Sequence, residues 1–189
     1  MQTLTVFNHV SLDGYFVDTK GDMSFAYNDH QDPEWDAWVN GNAGGGEGTL
    51  IFGRITYEMM AGYWPTPAAA ASMPVVAEGM NNRHKVVFSR TLDEVSWVNT
   101  RLVKEDLIGE IRRMKNEPGN GMVILGSGSI VSQLAQAGLI DEYQLVVDPV
   151  VVGQGRTLFD GIKERLPLTL VWTRTFENGN VVLCYRPRA

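Results

Sequence analysis

The chain has 189 residues, an apolar share of 44% and a formal net charge of −6. Its length is that of one ordinary domain, its acidic balance argues against binding nucleic acid, and it contains no run of about 18 apolar residues that would span a membrane. It lacks a secretory signal pattern, and its single Cys184 allows no internal disulfide. We therefore predict one cytoplasmic domain over residues 1–189.

The first part of the chain alternates strand-like apolar runs with segments of helical periodicity. The stretch Gly41–Gly48 contains too much glycine for a helix and is predicted to be a loop. Trp64–Pro74, which is rich in proline and alanine, is predicted to be a surface loop or a broken turn. The other predicted elements are a strand at Leu4–Val10, a helix capped by Asp32 with Pro33 at its first position, a strand at Thr49–Phe52, a helix after Gly53 that stops at Gly62, and one or two helical turns over Val75–Met80.

The second part continues the alternation and then ends in strands. The sequence Glu177-Asn-Gly-Asn180 between the last two strands is a strong hairpin signal. The predicted elements are strands at Lys85–Ser89 and Val95–Val98, a helix over Lys104–Lys115, a strand at Met122–Leu125, a helix ending near Gly138, an apolar run over Glu142–Val152 interrupted at Asp148-Pro149, a turn at Gly153–Arg156, and strands at Leu168–Phe176 and Val181–Arg186.

This order of elements predicts an α/β domain with a mostly parallel sheet and an antiparallel C-terminal edge. In such a sheet the loops at the carboxyl ends of the strands converge on one crevice, where ligands bind. The run Leu145–Val152 and the loop Gly153–Arg156 suggest a sheet edge that another subunit would cover.

A glycine turn follows the strand Met122–Leu125. Gly126-Ser-Gly-Ser129 leads into a helix, and strand, glycine turn and helix together present backbone N–H groups to a phosphate. Glycine is needed there because a Cβ would keep the phosphate away from the backbone. Val131 stands where the third glycine of the dinucleotide fingerprint would be. By itself, the turn is therefore equally consistent with a phosphate site and with a plain strand-to-helix connection.

Two arginines follow other predicted strands. Arg54 comes after Phe52 and Gly53, and Arg90 comes after Phe88 and Ser89. Guanidinium groups bind phosphate oxygens in pairs, and the nearby hydroxyls of Thr56, Ser89 and Ser129 add further donors. Each arginine alone is more typical of a surface ion pair, but their joint placement after strands favours an anion site.

Five segments, in order, resemble the dihydrofolate reductase superfamily, and in particular its branch with the C-terminal reductase domain of bifunctional riboflavin biosynthesis proteins. The resemblance covers nearly the whole chain. It implies a three-layer α/β/α fold and a site for NADPH. The segments are the first loop Ser11–Gly14, the Gly-Arg-x-Thr segment in Leu50–Glu58, the strand and turn Val86–Leu92, the glycine turn in Val123–Ser129, and the late strand and loop Ile140–Phe159.

By this resemblance, the second and fourth segments hold the NADPH phosphates and pyrophosphate, and Val86–Leu92 meets the adenosine 2′-phosphate. Relatives commonly form homodimers, so a homodimer is expected here. No metal site is predicted. The implied cofactor-binding residues are Gly53, Arg54, Thr56, Ser89, Arg90, Gly126, Ser127, Gly128 and Ser129.

The expected reaction is hydride transfer from reduced nicotinamide to an electron-poor C=N or C=O carbon of a small heterocycle, such as a pteridine, a folate or a ribosylamino-pyrimidine. The family places an acidic residue on the first helix, which makes Asp36 the candidate here. Asp13 in the first loop is a second candidate, although Asp-Gly is also a common turn pair. The sequence does not contain the Leu-Pro-Trp loop of true dihydrofolate reductases. A non-catalytic nucleotide-binding protein of the same fold and a purely structural subunit remain as alternatives.

Overall fold

The computed structural model describes residues 1–27, 32–44 and 47–188. Within these ranges a short 3-10 helix spans Ser24–Ala26. The helices are α1 (Pro33–Gly44), α2 (Arg54–Tyr63), α3 (Pro67–Ser72), α4 (Pro74–Asn82), α5 (Leu107–Asn116) and α6 (Gly128–Gln136). The strands are β1 (Leu4–Ser11), β2 (Tyr15–Asp18), β3 (Thr49–Gly53), β4 (Lys85–Phe88), β5 (Thr100–Val103), β6 (Met122–Leu125), β7 (Glu142–Asp148), β8 (Gly155–Thr157), β9 (Leu168–Thr175) and β10 (Val181–Pro187).

Eight strands form one sheet in the order β5-β4-β3-β6-β1-β7-β10-β9, and β2 pairs with β8 in a separate ribbon. The first six strands in that order are parallel. Strand β10 runs antiparallel to both β7 and β9. The predicted mostly parallel sheet with an antiparallel C-terminal edge is therefore confirmed. Among the described helices, none is long and apolar enough to cross a bilayer.

Helices cover both faces of the sheet because alternate residues of each strand point to opposite sides. In β3, Ile51 packs into a cluster with α5 and α6, whereas Leu50 and Phe52 pack with α2 and α4 on the other face. All three side chains are fully buried. Burial of each stabilises the fold by about 1.5–3 kcal/mol, so the central strands hold both outer layers in place.

Only residues 41–44 of the glycine-rich stretch contradict its prediction as a loop, because α1 continues through Gly44, whereas residues 47 and 48 are not helical. Glycine costs a helix about 1 kcal/mol relative to alanine. This cost is offset by packing, since Val39 and Ala43 lie against the cluster that contains Leu50. Residues 45–46 lie outside the described residues.

Two further predictions are wrong for local reasons. Trp64–Pro74 contains α3, which begins with Pro67 and is capped by Thr66, whose hydroxyl accepts a hydrogen bond from the N–H of Ala69 at 3.2 Å. Val95–Val98 is not a strand. The N–H groups of residues 96 and 97 donate to the hydroxyl of Tyr57, each at 3.0 Å, and the chain joins the sheet later, as β5.

The predicted position of the sheet edge is also wrong. Strand β7 lies between β1 and β10, so Leu145–Val152 does not offer an open edge. The outermost strands of the described sheet are β5 and β9. Strand β9 exposes Leu170, Val171 and Trp172, which are 48%, 43% and 37% exposed.

The start of α1 is tied to the last hairpin through Asp32, which is buried. Its carboxylate accepts hydrogen bonds from the N–H groups of Glu34 at 2.9 Å, Trp35 at 3.1 Å and Asn178 at 3.1 Å. The predicted cap is therefore confirmed, and the same side chain also fixes the hairpin. These bonds, led by that from Trp35, lower the pKa of Asp32.

Because this pKa is lowered by folding, the stabilisation from ionised Asp32 is present above the unfolded value of about 3.9 and is lost as pH falls through the folded value. We expect Asp32→Asn to lower the urea midpoint at pH 7 and to have a smaller effect at pH 3. Asp93→Asn is the matched control, since the Asp93 side chain is fully exposed. An Asp32→Asn effect that is the same at both pH values would contradict this assignment.

Candidate functional site

The turns after β3, β4 and β6 meet at the carboxyl edge of the sheet. Gly53 at the end of β3 is in register with Phe88 at the end of β4, so Arg54 and Ser89 leave adjacent strands at the same edge. On the other side, Ile51 of β3 is in register with Ile124 of β6, which brings Gly126 to the same place. The convergence expected from the sequence is therefore present.

The Ser127 hydroxyl joins two of these turns. It accepts a hydrogen bond from the N–H of Gly53 at 2.7 Å and donates one to the hydroxyl of Thr56 at 2.9 Å. Ser127 has a left-handed backbone with φ of 60°, which is uncommon for a residue with a side chain. Because its hydroxyl is engaged across the site, Ser127 makes no side-chain cap on its own helix, α6.

Two helices therefore begin at this edge without a side-chain cap. The residue before α6 is Ser127 and the residue before α2 is Gly53, and neither gives its helix a capping hydrogen bond. The first N–H groups of a helix have no partners within it, and they lie at the positive end of the helix dipole. Both helix starts line the same cleft. The arrangement suits a ligand with two neighbouring anionic groups.

A buried amide completes this end of the cleft. Asn8 in β1 is 6% exposed, and its Oδ1 accepts a hydrogen bond from the N–H of Gly126 at 2.8 Å. Its Nδ2 has no hydrogen-bond partner in the described part of the chain. A buried donor without a partner costs about 1–3 kcal/mol. A ligand carbonyl or phosphate oxygen would supply that partner.

The cleft has a volume of about 1590 Å³ and runs from the carboxyl edge of the sheet along the face that α1 covers. It contains most of the residues predicted from the sequence. The predicted residues that line it are Asp36, Gly53, Arg54, Thr56, Ser89, Gly126, Ser127, Gly128 and Ser129. Asp13 and Arg90 are not among the lining residues.

The two predicted arginines differ in their surroundings. Arg54 lines the cleft and pairs with Glu58 at 2.9 Å, with both side chains nearly half exposed. Such an exposed pair contributes about 0–1 kcal/mol, so an incoming phosphate can compete for the guanidinium. Arg90 is exposed and follows Ser89, whose hydroxyl accepts hydrogen bonds from the N–H groups of residues 91 and 92.

Asp13 connects two loops and does not face the cleft. One carboxylate oxygen accepts hydrogen bonds from the Ser11 hydroxyl at 2.6 Å and the Val152 N–H at 3.1 Å, and the other accepts one from the Gly153 N–H at 2.7 Å. The bond from Ser11, supported by those from the two N–H groups, lowers the pKa of Asp13. These contacts account for the side chain without a substrate.

Aromatic rings form one wall of the cleft. Trp35 and Trp38 on α1 stack with their centroids 5.2 Å apart, and Phe176 packs edge-on against Trp35 at 5.0 Å. Phe7 on β1 lies 5.9 Å from Trp38. Both tryptophans and Phe7 line the cleft. A flat, apolar surface of this kind favours a planar ring system as the ligand.

Sequence reasoning did not identify His9 and Asp148. His9 lines the cleft, and its Nδ1 lies 3.1 Å and 3.0 Å from the two carboxylate oxygens of Asp148. Asp148 is 1% exposed and lies at the end of β7. The available signal was the polar pair Asn8-His9 between the apolar residues Phe7 and Val10 of β1. The partner is 139 residues away, so no local pattern could reveal it.

Gly126 is required by both its backbone and its surroundings. Its φ is 62°, and a Cβ there would lie 2.8 Å from the side chain of Thr56. We expect Gly126→Ala to lower the free energy of unfolding by about 2–4 kcal/mol, of which about 1–2 kcal/mol comes from the left-handed backbone and the rest from displacement of Thr56.

Gly138→Ala provides the control, since Gly138 has a φ of 64° and a Cβ there would meet nothing within 4 Å. Chemical denaturation of both variants separates the two contributions. Equal losses of stability would show that Thr56 does not crowd position 126.

Known proteins resemble this chain in sequence and in fold. The chain is 30% identical over 137 residues to the uncharacterized protein YyaP of Bacillus subtilis (strain 168), a match that covers 72% of each chain. A crystal structure of a candidate riboflavin biosynthesis protein from Shewanella sp. PV-4 superposes with a TM-score of 0.73 and 21% identity over 100% of both chains. Dihydrofolate reductase from Enterococcus faecalis, in complex with NADP(H) and RAB-propyl, superposes with a TM-score of 0.64 and 17% identity over 99% of this chain and 97% of that one.

The two structural likenesses show a dihydrofolate reductase-like fold, which confirms the expectation of an α/β/α architecture. The family model described as the RibD C-terminal domain matches residues 2–182, nearly the whole sequence. This protein therefore belongs to the RibD C-terminal domain family.

Proposed function

We propose that this protein is an NADPH-dependent reductase that transfers a hydride to a small planar heterocycle of the pteridine, folate or ribosylamino-pyrimidine type. Its family and its fold are those of reductases. The observation that carries the proposal is the pair of uncapped helix starts, joined through Ser127, at one end of a cleft with an aromatic wall.

The residues at the carboxyl edge fit a dinucleotide. The N-termini of α2 and α6 would hold the pyrophosphate, and Arg54 would contact a phosphate directly. The unpartnered Nδ2 of Asn8 would donate to a ligand oxygen. Ser89 and Arg90 follow the neighbouring strand, where the adenosine 2′-phosphate is expected. The Enterococcus enzyme of the same fold was solved with NADP(H).

When bound, reduced nicotinamide supplies the hydride, and the protein must position the acceptor and exclude water. Trp35, Trp38 and Phe7 would hold the flat acceptor ring. Asp36 lines the cleft from α1, where its carboxylate would accept hydrogen bonds from the ring N–H groups of a pterin or pyrimidine. In this proposal Asp36 orients the substrate, and Asp13 holds the first loop in place.

Titration with NADPH and with NADH, followed by nicotinamide fluorescence, tests cofactor binding. Screening a pteridine and pyrimidine panel for NADPH oxidation then tests catalysis. Binding without oxidation of any panel member would favour the alternative, a nucleotide-binding protein of the same fold that catalyses nothing. Absence of binding to either nucleotide would overturn the assignment.

Arginine substitutions test the placement of the cofactor. We expect Arg54→Ala to weaken NADPH and NADH binding by about 10- to 100-fold, since a charged hydrogen bond contributes about 1.5–3 kcal/mol. Arg90→Ala should weaken the binding of NADPH but not that of NADH, because only NADPH carries the 2′-phosphate. Arg101→Ala is the control, since Arg101 pairs with Glu110 and does not line the cleft. If Arg90→Ala weakened the binding of NADPH and NADH equally, the turn that contains Arg90 would not be the site of the 2′-phosphate.

We also propose that the protein is a cytoplasmic homodimer and that two copies meet along β9. The exposed Leu170, Val171 and Trp172 on this outer strand support the proposal. Sedimentation should give twice the mass of the chain, and Leu170→Glu should shift the species to the monomer. Val98→Glu is the control, because Val98 is 58% exposed and lies outside β9, and it should leave the dimer intact. A monomer at all concentrations would refute the proposal.

A further inference from the structure

His9 is held against the aromatic wall at the face of the sheet that lines the cleft. Its ring lies edge-on to Trp35, with centroids 6.0 Å apart, and edge-on to Phe7 at 6.1 Å. Its side chain is 19% exposed, which leaves a small part open to the cleft. His9 therefore borders the space in which a planar ligand would lie.

Asp148 fixes which ring nitrogen faces the cleft. Both of its oxygens lie within 3.1 Å of Nδ1, and a carboxylate only accepts hydrogen bonds, so Nδ1 carries a hydrogen. Asp148 is buried behind the ring and does not line the cleft. The other nitrogen, Nε2, is left for a ligand.

The two rings packed against His9, those of Phe7 and Trp35, are apolar. Asp36, on the same helix as Trp35, is a second carboxyl group that lines the cleft, and it is solvent-exposed. Val146 on β7 lies beside His9 in register, and Asp148 on β7 and Trp35 on α1 contact its ring. Of these groups, only Asp148 carries a charge.

We infer that His9 is the catalytic acid of the proposed reductase and that Asp148 is its positioning residue. This inference rests on the proposed function. As the hydride forms a C–H bond at the carbon of a ring C=N or C=O group, the π pair moves to the nitrogen or oxygen. That atom then takes the proton from Nε2 of the imidazolium. His9 is left neutral, with its Nδ1 hydrogen still on Asp148, and is reprotonated from solvent.

The choice of His9 over Asp36 follows from exposure. Asp36 is exposed to solvent, and no hydrogen bond of its carboxyl group within the described residues fixes its orientation. His9 is held in one orientation by Asp148 and is largely buried against the aromatic wall, so its Nε2 has a fixed position beside the ligand. The two residues therefore have separate tasks, with Asp36 orienting the ring and His9 supplying the proton.

The kinetic test compares four variants on the panel compound that the wild type reduces. We expect His9→Gln to bind NADPH as the wild type does but to lower kcat by about 100-fold or more. The wild-type rate should fall at alkaline pH, and His9→Gln should lose this fall. Asp148→Asn should lower kcat by about tenfold or more by changing the tautomer. Asp36→Asn should mainly raise KM and keep the alkaline fall. His84→Gln, at an exposed histidine outside the cleft, should behave as the wild type.

A second readout needs no turnover. In protein with 15N-labelled histidine, the His9 signals are those absent from His9→Gln. At alkaline pH we expect neutral His9 to carry its hydrogen on Nδ1, and we expect Asp148→Asn to alter this tautomer. Addition of the same panel compound with NADP+ should shift the Nε2 resonance.

Three outcomes would overturn the inference. If His9→Gln reduces the substrate at the wild-type rate with an unchanged pH profile, His9 is not the acid, although the reductase assignment stands. If neutral His9 carries its hydrogen on Nε2, the geometry of the pair is wrong, independently of any substrate. If the wild type neither binds NADPH nor reduces any panel compound, this inference fails together with the proposed function.

Discussion

The hydrogen bonds of the Ser127 hydroxyl are the contacts on which the candidate site depends. One hydroxyl group holds the end of β3, through Gly53, and the first turn of α2, through Thr56. Ser127 adopts a left-handed backbone to make these contacts. Residues in such conformations cluster at functional sites, where the surrounding structure compensates the strain. Here the compensation is a fixed distance between two helix starts, which is what a diphosphate group requires.

The second constraint is the alternation of side chains along β1. Asn8 and His9 are neighbours in sequence but point to opposite faces, as the pleat of a strand demands. Asn8 contacts the glycine turn at Gly126, whereas His9 faces the aromatic wall beneath α1. Asn8 therefore lines the cleft at the glycine turn, and His9 lines it at the aromatic wall. Leu4 and Val6, earlier in the same strand, are fully buried and anchor β1 in the core.

The sequence allowed prediction of those features that are encoded locally. The alternation of strands and helices, the cap Asp32, the final hairpin and the glycine turn all depend on neighbouring residues. The helix through Gly44 was missed because its stability comes from packing of Val39 and Ala43, which glycine content does not reveal. The partnership of His9 with Asp148 was missed because sheet register, over more than a hundred residues, creates it. The contacts of Asp13 with the N–H groups of Val152 and Gly153 could not be predicted, because these groups belong to a distant loop.

The clamp made by Asp13 has a consequence for local unfolding. It joins loops that are 140 residues apart in the chain, and Leu12 reinforces the junction by donating its N–H to the carbonyl of Val150 at 2.8 Å. Segments that share such bonds open together rather than one at a time. The first loop and the turn after β7 therefore form one cooperative unit, so their amides should exchange with solvent at a common rate despite the long stretch of chain between them.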